Sequence, residues 1–149
     1  MDNEKTLIRH VRMIDPAVKS DEVGDLLISE GKILGAGKLG LEEIPEGCLV
    51  IDGSDLVACP GFIDLHCHLR EPGFEYKETI AAGSKAGAKG GFTTLCAMPN
   101  TDPPIDNAAV VEFIHERTKQ NATVRVLPCL LYTSDAADDT PCVDLGGRR

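Results

Sequence analysis

Tryptophan is absent from the sequence, and aromatic residues make up only 4% of its 149 positions. A core must therefore be built from aliphatic side chains, and a chain this short supports one modest domain with a light core. No run of about eighteen apolar residues occurs, so no transmembrane helix is expected. Residues 1–30 lack a basic-then-apolar export pattern, which predicts a soluble, unexported, cytoplasmic protein. Blocks of positive charge are also missing: the formal net charge is −9, with the acids scattered. That balance argues against nucleic acid or an anionic membrane as partner and leaves a small anionic substrate open. Six cysteines are present, yet Cys48, Cys59, Cys67, Cys96, Cys129 and Cys142 show no C-x-x-C spacing. A zinc finger and a disulfide framework are both disfavoured, and buried free thiols are expected.

Helix signals are missing from the first 58 residues, which read as a β-rich unit. Residues 7–14 mix apolar and basic side chains like a half-exposed strand ended by Asp15-Pro16. Strands over 25–29 and 32–34 are separated by Glu30-Gly31, a two-residue hairpin signal. Residues 49–51 and 56–58 flank Asp52-Gly-Ser-Asp55 and predict a further strand pair. His10 reads as a surface strand residue without a role. From residue 60 the rhythm changes. The alanine-rich stretch 78–89 predicts a helix with small residues where it must approach a sheet, closed by Gly90-Gly91. Residues 92–98 read as an apolar, β-branched strand. A helix capped by Asp106 or Asn107 follows, with Val110, Phe113 and Ile114 at helical spacing and Asn121 as its stop. His115 on that helix reads as a surface or packing residue. Residues 123–127 complete a βαβαβ pattern, which implies a parallel sheet with right-handed crossovers.

The stretch Pro60-Gly-Phe-Ile-Asp-Leu-His-Cys-His-Leu-Arg-Glu-Pro-Gly73 carries the densest chemistry. Phe62, Ile63 and Leu65, bounded by Pro-Gly on both sides, predict a buried strand. Strand alternation puts His66 and His68 on one face, about 6 to 7 Å apart, so both imidazoles can grip one metal ion, with Cys67 on the other face. Arg70 continues the His66 and His68 face, and a cation beside a cation site calls for an anion between them. Asp64 either orients a ligand or caps a neighbouring turn. In parallel sheets ligands gather at the carboxyl ends of strands. His66 and His68 end the first such strand and Met98-Pro-Asn100 ends the second, so both fall on one face. A role in the turn before Pro103-Pro104 is the lesser alternative for Asn100.

Together with Lys77-Glu-Thr79 and Gly90-Gly-Phe-Thr-Thr94, these motifs resemble the class I dihydroorotases of the amidohydrolase superfamily, from the N-terminus to about Pro128. The His-x-His is shared with hydantoinases, dihydropyrimidinases and allantoinases, whereas Arg70-Glu-Pro-Gly73 and Met98-Pro-Asn-Thr101 favour dihydroorotase. The resemblance implies an α/β fold, a (β/α)8 metal-dependent hydrolase barrel with a small β-domain beside it. Residues 1–59 would be part of the small domain, and 60–128 the first three barrel strands. It implies zinc held by His66 and His68, with His68, Arg70 and Asn100 binding substrate. The implied reaction is the reversible cyclisation of N-carbamoyl-L-aspartate to dihydroorotate in de novo pyrimidine biosynthesis. A homodimer, or association with aspartate carbamoyltransferase, is implied for the full-length protein. The alternatives are another cyclic-amide hydrolase, or a non-catalytic subunit scaffolding the carbamoyltransferase. Retention of His66, His68, Arg70 and Asn100 argues against the scaffold.

The family's bridging metal ligand, two further histidines and general acid/base aspartate come from later barrel strands, so no catalytic residue is assigned here. The 149-residue chain is expected to be inactive and to have little cooperative stability. Residues 129–149, whose Cys129-Leu-Leu-Tyr-Thr-Ser-Asp-Ala-Ala-Asp-Asp139 looks like a reading frame of a sequencing-library adapter, are read as a non-native tail. Asp135, Asp138 and Asp139 are not recruited as catalytic carboxylates.

Overall fold

Residues 5–40 and 44–131 are described by the structure, a computed structural model, and they fall into two units divided after Pro60. The first unit is all-β: β1 (Thr6–Asp15), β2 (Ser20–Ser29), β3 (Lys32–Gly37), β4 (Leu49–Asp52) and β5 (Val57–Ala58). The order across the sheet is β3-β2-β1-β4, with β5 also on β1. The Glu30-Gly31 hairpin forms as expected, with φ of 52° and 72° at its two residues. That pair of positive values is what the right-handed twist of the flanking strands demands of a two-residue turn. Strand β2 begins five residues earlier than the 25–29 expectation, at Ser20. Residues 49–51 and 56–58 do not pair with each other as predicted; β4 and β5 both run parallel to β1. β1 is long enough to take them one after the other, Thr6–Arg9 against β4 and Arg12–Met13 against β5. Leu7, Val11 and Leu27 are the buried apolar side chains of this unit, with Asp25 and Ser29 of β2 buried as well.

The second unit runs β6 (Phe62–Cys67), α1 (Ile80–Lys89), β7 (Phe92–Ala97), α2 (Ala108–Asn121) and β8 (Arg125–Pro128). The three strands are parallel in the order β6-β7-β8, the βαβαβ arrangement that the periodicity predicts. Each helix starts on a side-chain cap: Thr79 Oγ1 accepts the Ala82 N–H at 3.2 Å. Asn107 Oδ1 accepts from Ala109 and Val110 at 3.0 and 3.1 Å. Such caps satisfy amide groups the first turn leaves without partners and stabilise a helix by about 1 kcal/mol. The small residues of α1 serve close approach, since a Cβ on Gly83 would lie 2.5 Å from Leu69 Cδ2.

Leu69, Ile80, Leu95, Ala97, Ile105, Val110, Ile114 and Val126 form the core of this unit. No residue of β6 belongs to it. Phe62, Ile63 and Leu65 are exposed, Leu65 by 74%, contrary to the expectation of a buried strand. The reason is where the helices lie: α1 packs on β7 and α2 on β8, and the core is built there. The cysteines are free as expected, yet they are not fully buried: Cys48, Cys67, Cys96 and Cys129 are half-buried and Cys59 is exposed. Cys142 lies outside the described residues. Among the described residues, no helix is long and apolar enough to cross a membrane.

Candidate functional site

The ladder between β6 and β7 slips where the chemistry begins. Asp64 pairs with Leu95 and Cys67 with Ala97, so three steps on β6 match two on β7. An extra residue of this kind kinks a strand and re-aims its side chains, and such bulges are common beside active sites. Asp64 Oδ1 accepts the His66 backbone N–H at 3.0 Å inside the slip. Of its two sequence readings, a local cap is thus the observed one. The His66 and His68 rings meet edge to face with centroids 5.2 Å apart, closer than regular alternation places them.

Asn100, at the end of β7, reaches back across the strand ends, its Oδ1 2.7 Å from His68 Nδ1. A carboxamide oxygen only accepts, so Nδ1 carries the proton and the Nε2 lone pair is left for a ligand. This is the arrangement by which an outer partner fixes the tautomer and orientation of a metal-binding histidine. The carboxamide nitrogen of Asn100 remains available as a donor. The donor set therefore fits a metal in part, since two imidazoles converge and one is already oriented. Catalytic zinc normally takes three protein ligands. Among the described residues, no group of three or more His, Cys, Asp or Glu is placed to hold a metal.

Arg70 departs from expectation. β6 ends at Cys67, and Arg70 adopts a left-handed backbone with φ of 61°. It does not continue the His66 and His68 face by simple alternation. The Glu71 N–H donates to Leu69 O at 2.8 Å and the Phe74 N–H to Arg70 O at 2.9 Å, wrapping a tight turn around it. Among the described residues its guanidinium makes no hydrogen bond or ion pair.

The loops carrying Arg70 and Asn100 are joined. The Asp102 N–H donates to Pro72 O at 3.0 Å. Gly73 has φ of +94°, and a Cβ there would collide with Asp102 O, so glycine is what lets the two loops touch. Sequence reasoning missed Glu71, the buried carboxylate of this junction. Its Oε2 accepts the Ile80 N–H at 2.8 Å and its Oε1 the Arg117 Nε–H at 2.9 Å. A carboxylate in a segment closed by Pro-Gly was its only available signal.

Burial, with the Asp64 carboxylate adding to it, pushes the Cys67 thiol up to about 12. Burial also raises Cys129, with Cys96 nearby. Thiols held protonated in this way are poor nucleophiles and poor ligands, which leaves the imidazoles as the donors here. His10 and His115 are exposed, and His115 lies on α2.

Residues 129–131 continue the strand-end region: the Cys129 N–H donates to Ala97 O and the Leu131 N–H to Ile105 O, at 2.9 and 2.8 Å. Residues 132–149 lie outside the described residues, and the adapter-like reading, which begins at Cys129, falls there from residue 132 on, with Asp135, Asp138 and Asp139.

Among solved structures, the fold is similar to an L-hydantoinase (dihydropyrimidinase) from Arthrobacter aurescens, with a TM-score of 0.70 and 19% identity over 98% of this chain and 32% of that one. A D-hydantoinase from Thermus sp. gives 0.60 and 27% over 91% and 30%. Curated relatives include dihydroorotases from Caldicellulosiruptor saccharolyticus, 49% identical over 82% of this chain, and Solibacter usitatus, 44% identical over 89%. The chain spans only 28% and 30% of those two proteins. A family profile described as Dihydro-orotase-like matches residues 55–140, more than half of the sequence, and so contains both the His66-Cys67-His68 strand end and the Asn100 loop that meets it. By that match and those identities, the chain belongs to the dihydro-orotase-like family.

Proposed function

We propose that this chain is part of a zinc-dependent dihydroorotase, interconverting N-carbamoyl-L-aspartate and dihydroorotate. The observation that carries the reading is the contact between Asn100 Oδ1 and His68 Nδ1, 2.7 Å. It links a metal-type ligand pair to a carboxamide suited to a substrate carboxylate. His66 and His68 hold the metal through their imidazole nitrogens, with Asn100 keeping the proton of His68 on Nδ1. When bound, zinc supplies Lewis-acid polarisation of the ring amide and activation of water. Arg70 grips the substrate carboxylate through its planar fork, and the Asn100 amide N–H donates to the same group. Carboxylate capture orients the amide carbon toward the histidines, and such fixing of geometry is a large part of a hydrolase's advantage over water.

In our reading residues 1–59 belong to a small β-domain, 60–128 open a (β/α)8 barrel, and 129–149 are non-native. The family match, which extends to residue 140, overlaps the start of that last segment. We further propose a cytoplasmic enzyme of pyrimidine biosynthesis with a small-molecule substrate and no nucleic-acid or membrane partner. It would act as a homodimer or with aspartate carbamoyltransferase. The competing reading is hydantoin-type hydrolysis, which the solved relatives perform by name. It has no use for a carboxylate anchor, so the substrates discriminate. The full-length enzyme should hydrolyse dihydroorotate and leave hydantoin and allantoin essentially untouched. Comparable turnover of hydantoin would overturn the assignment.

A further inference from the structure

Arg70 sits between two buried neighbours, and its backbone is strained. Leu69 is 5% exposed and belongs to the core, Glu71 is equally buried, and Arg70 between them has φ of 61°. A non-glycine residue holds a left-handed conformation only when its surroundings over-determine it. Leu69 supplies one fixed end by burial in the core. The other end is held by Glu71, whose two oxygens take the first amide of α1 and the Nε–H of Arg117 on α2, at 2.8 and 2.9 Å. A buried carboxylate keeps its charge only with such partners, so Glu71 has no freedom to turn back.

Glu71 also discriminates between two arginines. Its immediate neighbour Arg70 would be the easy ion-pair partner, yet the carboxylate pairs with Arg117, 46 positions away in sequence. Its side chain is 4% exposed, aimed into the helix side of the unit. Arg70 is thereby left without its nearest carboxylate, and among the described residues it forms no ion pair. Arg117 is itself seated with its guanidinium 5.9 Å from the Phe113 ring centroid.

We infer that Glu71 is a positioning residue: clamped by Arg117 and the N-terminus of α1, it holds Arg70 in the backbone conformation that presents an unpaired guanidinium to the substrate carboxylate. The inference rests on the proposed role of Arg70 as the carboxylate anchor. Glu71→Gln keeps the shape and the acceptor for Ile80 but removes the charge that holds Arg117. In the full-length enzyme a crystal structure of this variant should show Arg70 leaving positive φ. The KM for dihydroorotate should rise about tenfold, the size of one charge-assisted hydrogen bond, with zinc content and kcat little changed. In an Arg70→Lys background the same change should add nothing to KM, because two substitutions acting through one group are not additive.

A merely structural role predicts the reverse, an additive loss in Tm and kcat with Arg70 unmoved, and that result overturns the inference. If Arg70 moves while KM stays constant, Glu71 does position it and the carboxylate-anchor reading is what fails. Should Glu71→Gln not accumulate folded, Arg117→Gln, which removes the cation but leaves Glu71 and its bond to Ile80 in place, is read by the same criteria.

Discussion

His66→Ala in the full-length enzyme is expected to lose bound zinc and turnover together. Among the described residues, the imidazole is one of the two ring donors that this region brings together, its ring 5.2 Å from that of His68. Among the described residues no third His, Cys, Asp or Glu is placed to replace it. Changing an outer partner of a metal ligand already costs about 10- to 100-fold in affinity or activity, and deleting a ligand costs more. Metal catalysis lowers the barrier by several kcal/mol, so the fall in kcat should exceed about a thousandfold. Metal analysis of the purified variant alongside its rate checks this. Full zinc occupancy in His66→Ala would remove the basis for the ligand assignment.

Arg70→Lys should behave differently. Lysine keeps the positive charge but loses the planar fork that meets both oxygens of a carboxylate. Hydrogen bonds to charged groups are each worth about 1.5–3 kcal/mol. Losing one raises KM for dihydroorotate by about ten- to a hundredfold. Zinc content should not change, because Arg70 lies outside the ligand pair and its loop is held by Glu71 rather than by its own side chain. An unchanged KM would show that the carboxylate is held elsewhere.

The parts of this site that were legible in the sequence are those written in local pattern. His66 and His68 stand one residue apart, and Gly-Gly, Pro-Gly and apolar periodicity mark where strands end, so the parallel order β6-β7-β8 and the gathering of motifs at one edge could be read directly. The Glu30-Gly31 hairpin was legible for the same reason, since a turn is chosen by two adjacent residues. What escaped is long-range. The ion pair of Glu71 spans 46 positions and leaves no periodic trace. The slip between Asp64 and Cys67 depends on what β7 offers across the ladder, so a single strand cannot announce it. Alternation carried through that slip is why Arg70 was expected on the face of the histidines. β4 and β5 were misassigned to each other because apolar pairs flanking a turn look alike whether they pair mutually or each join a third strand. Phe62, Ile63 and Leu65 read as buried because their composition is that of an interior strand, whereas the helices pack on β7 and β8 and leave them exposed.

A crystal structure of the full-length enzyme with dihydroorotate, collected at the zinc absorption edge, tests the central claim most directly. The account predicts a zinc peak about 2.0–2.1 Å from Nε2 of both His66 and His68. Asn100 should still be on Nδ1 of His68, with the ligand carboxylate about 2.7–2.9 Å from the Arg70 guanidinium. Zinc bound away from this pair, or a carboxylate that does not touch Arg70, would contradict it.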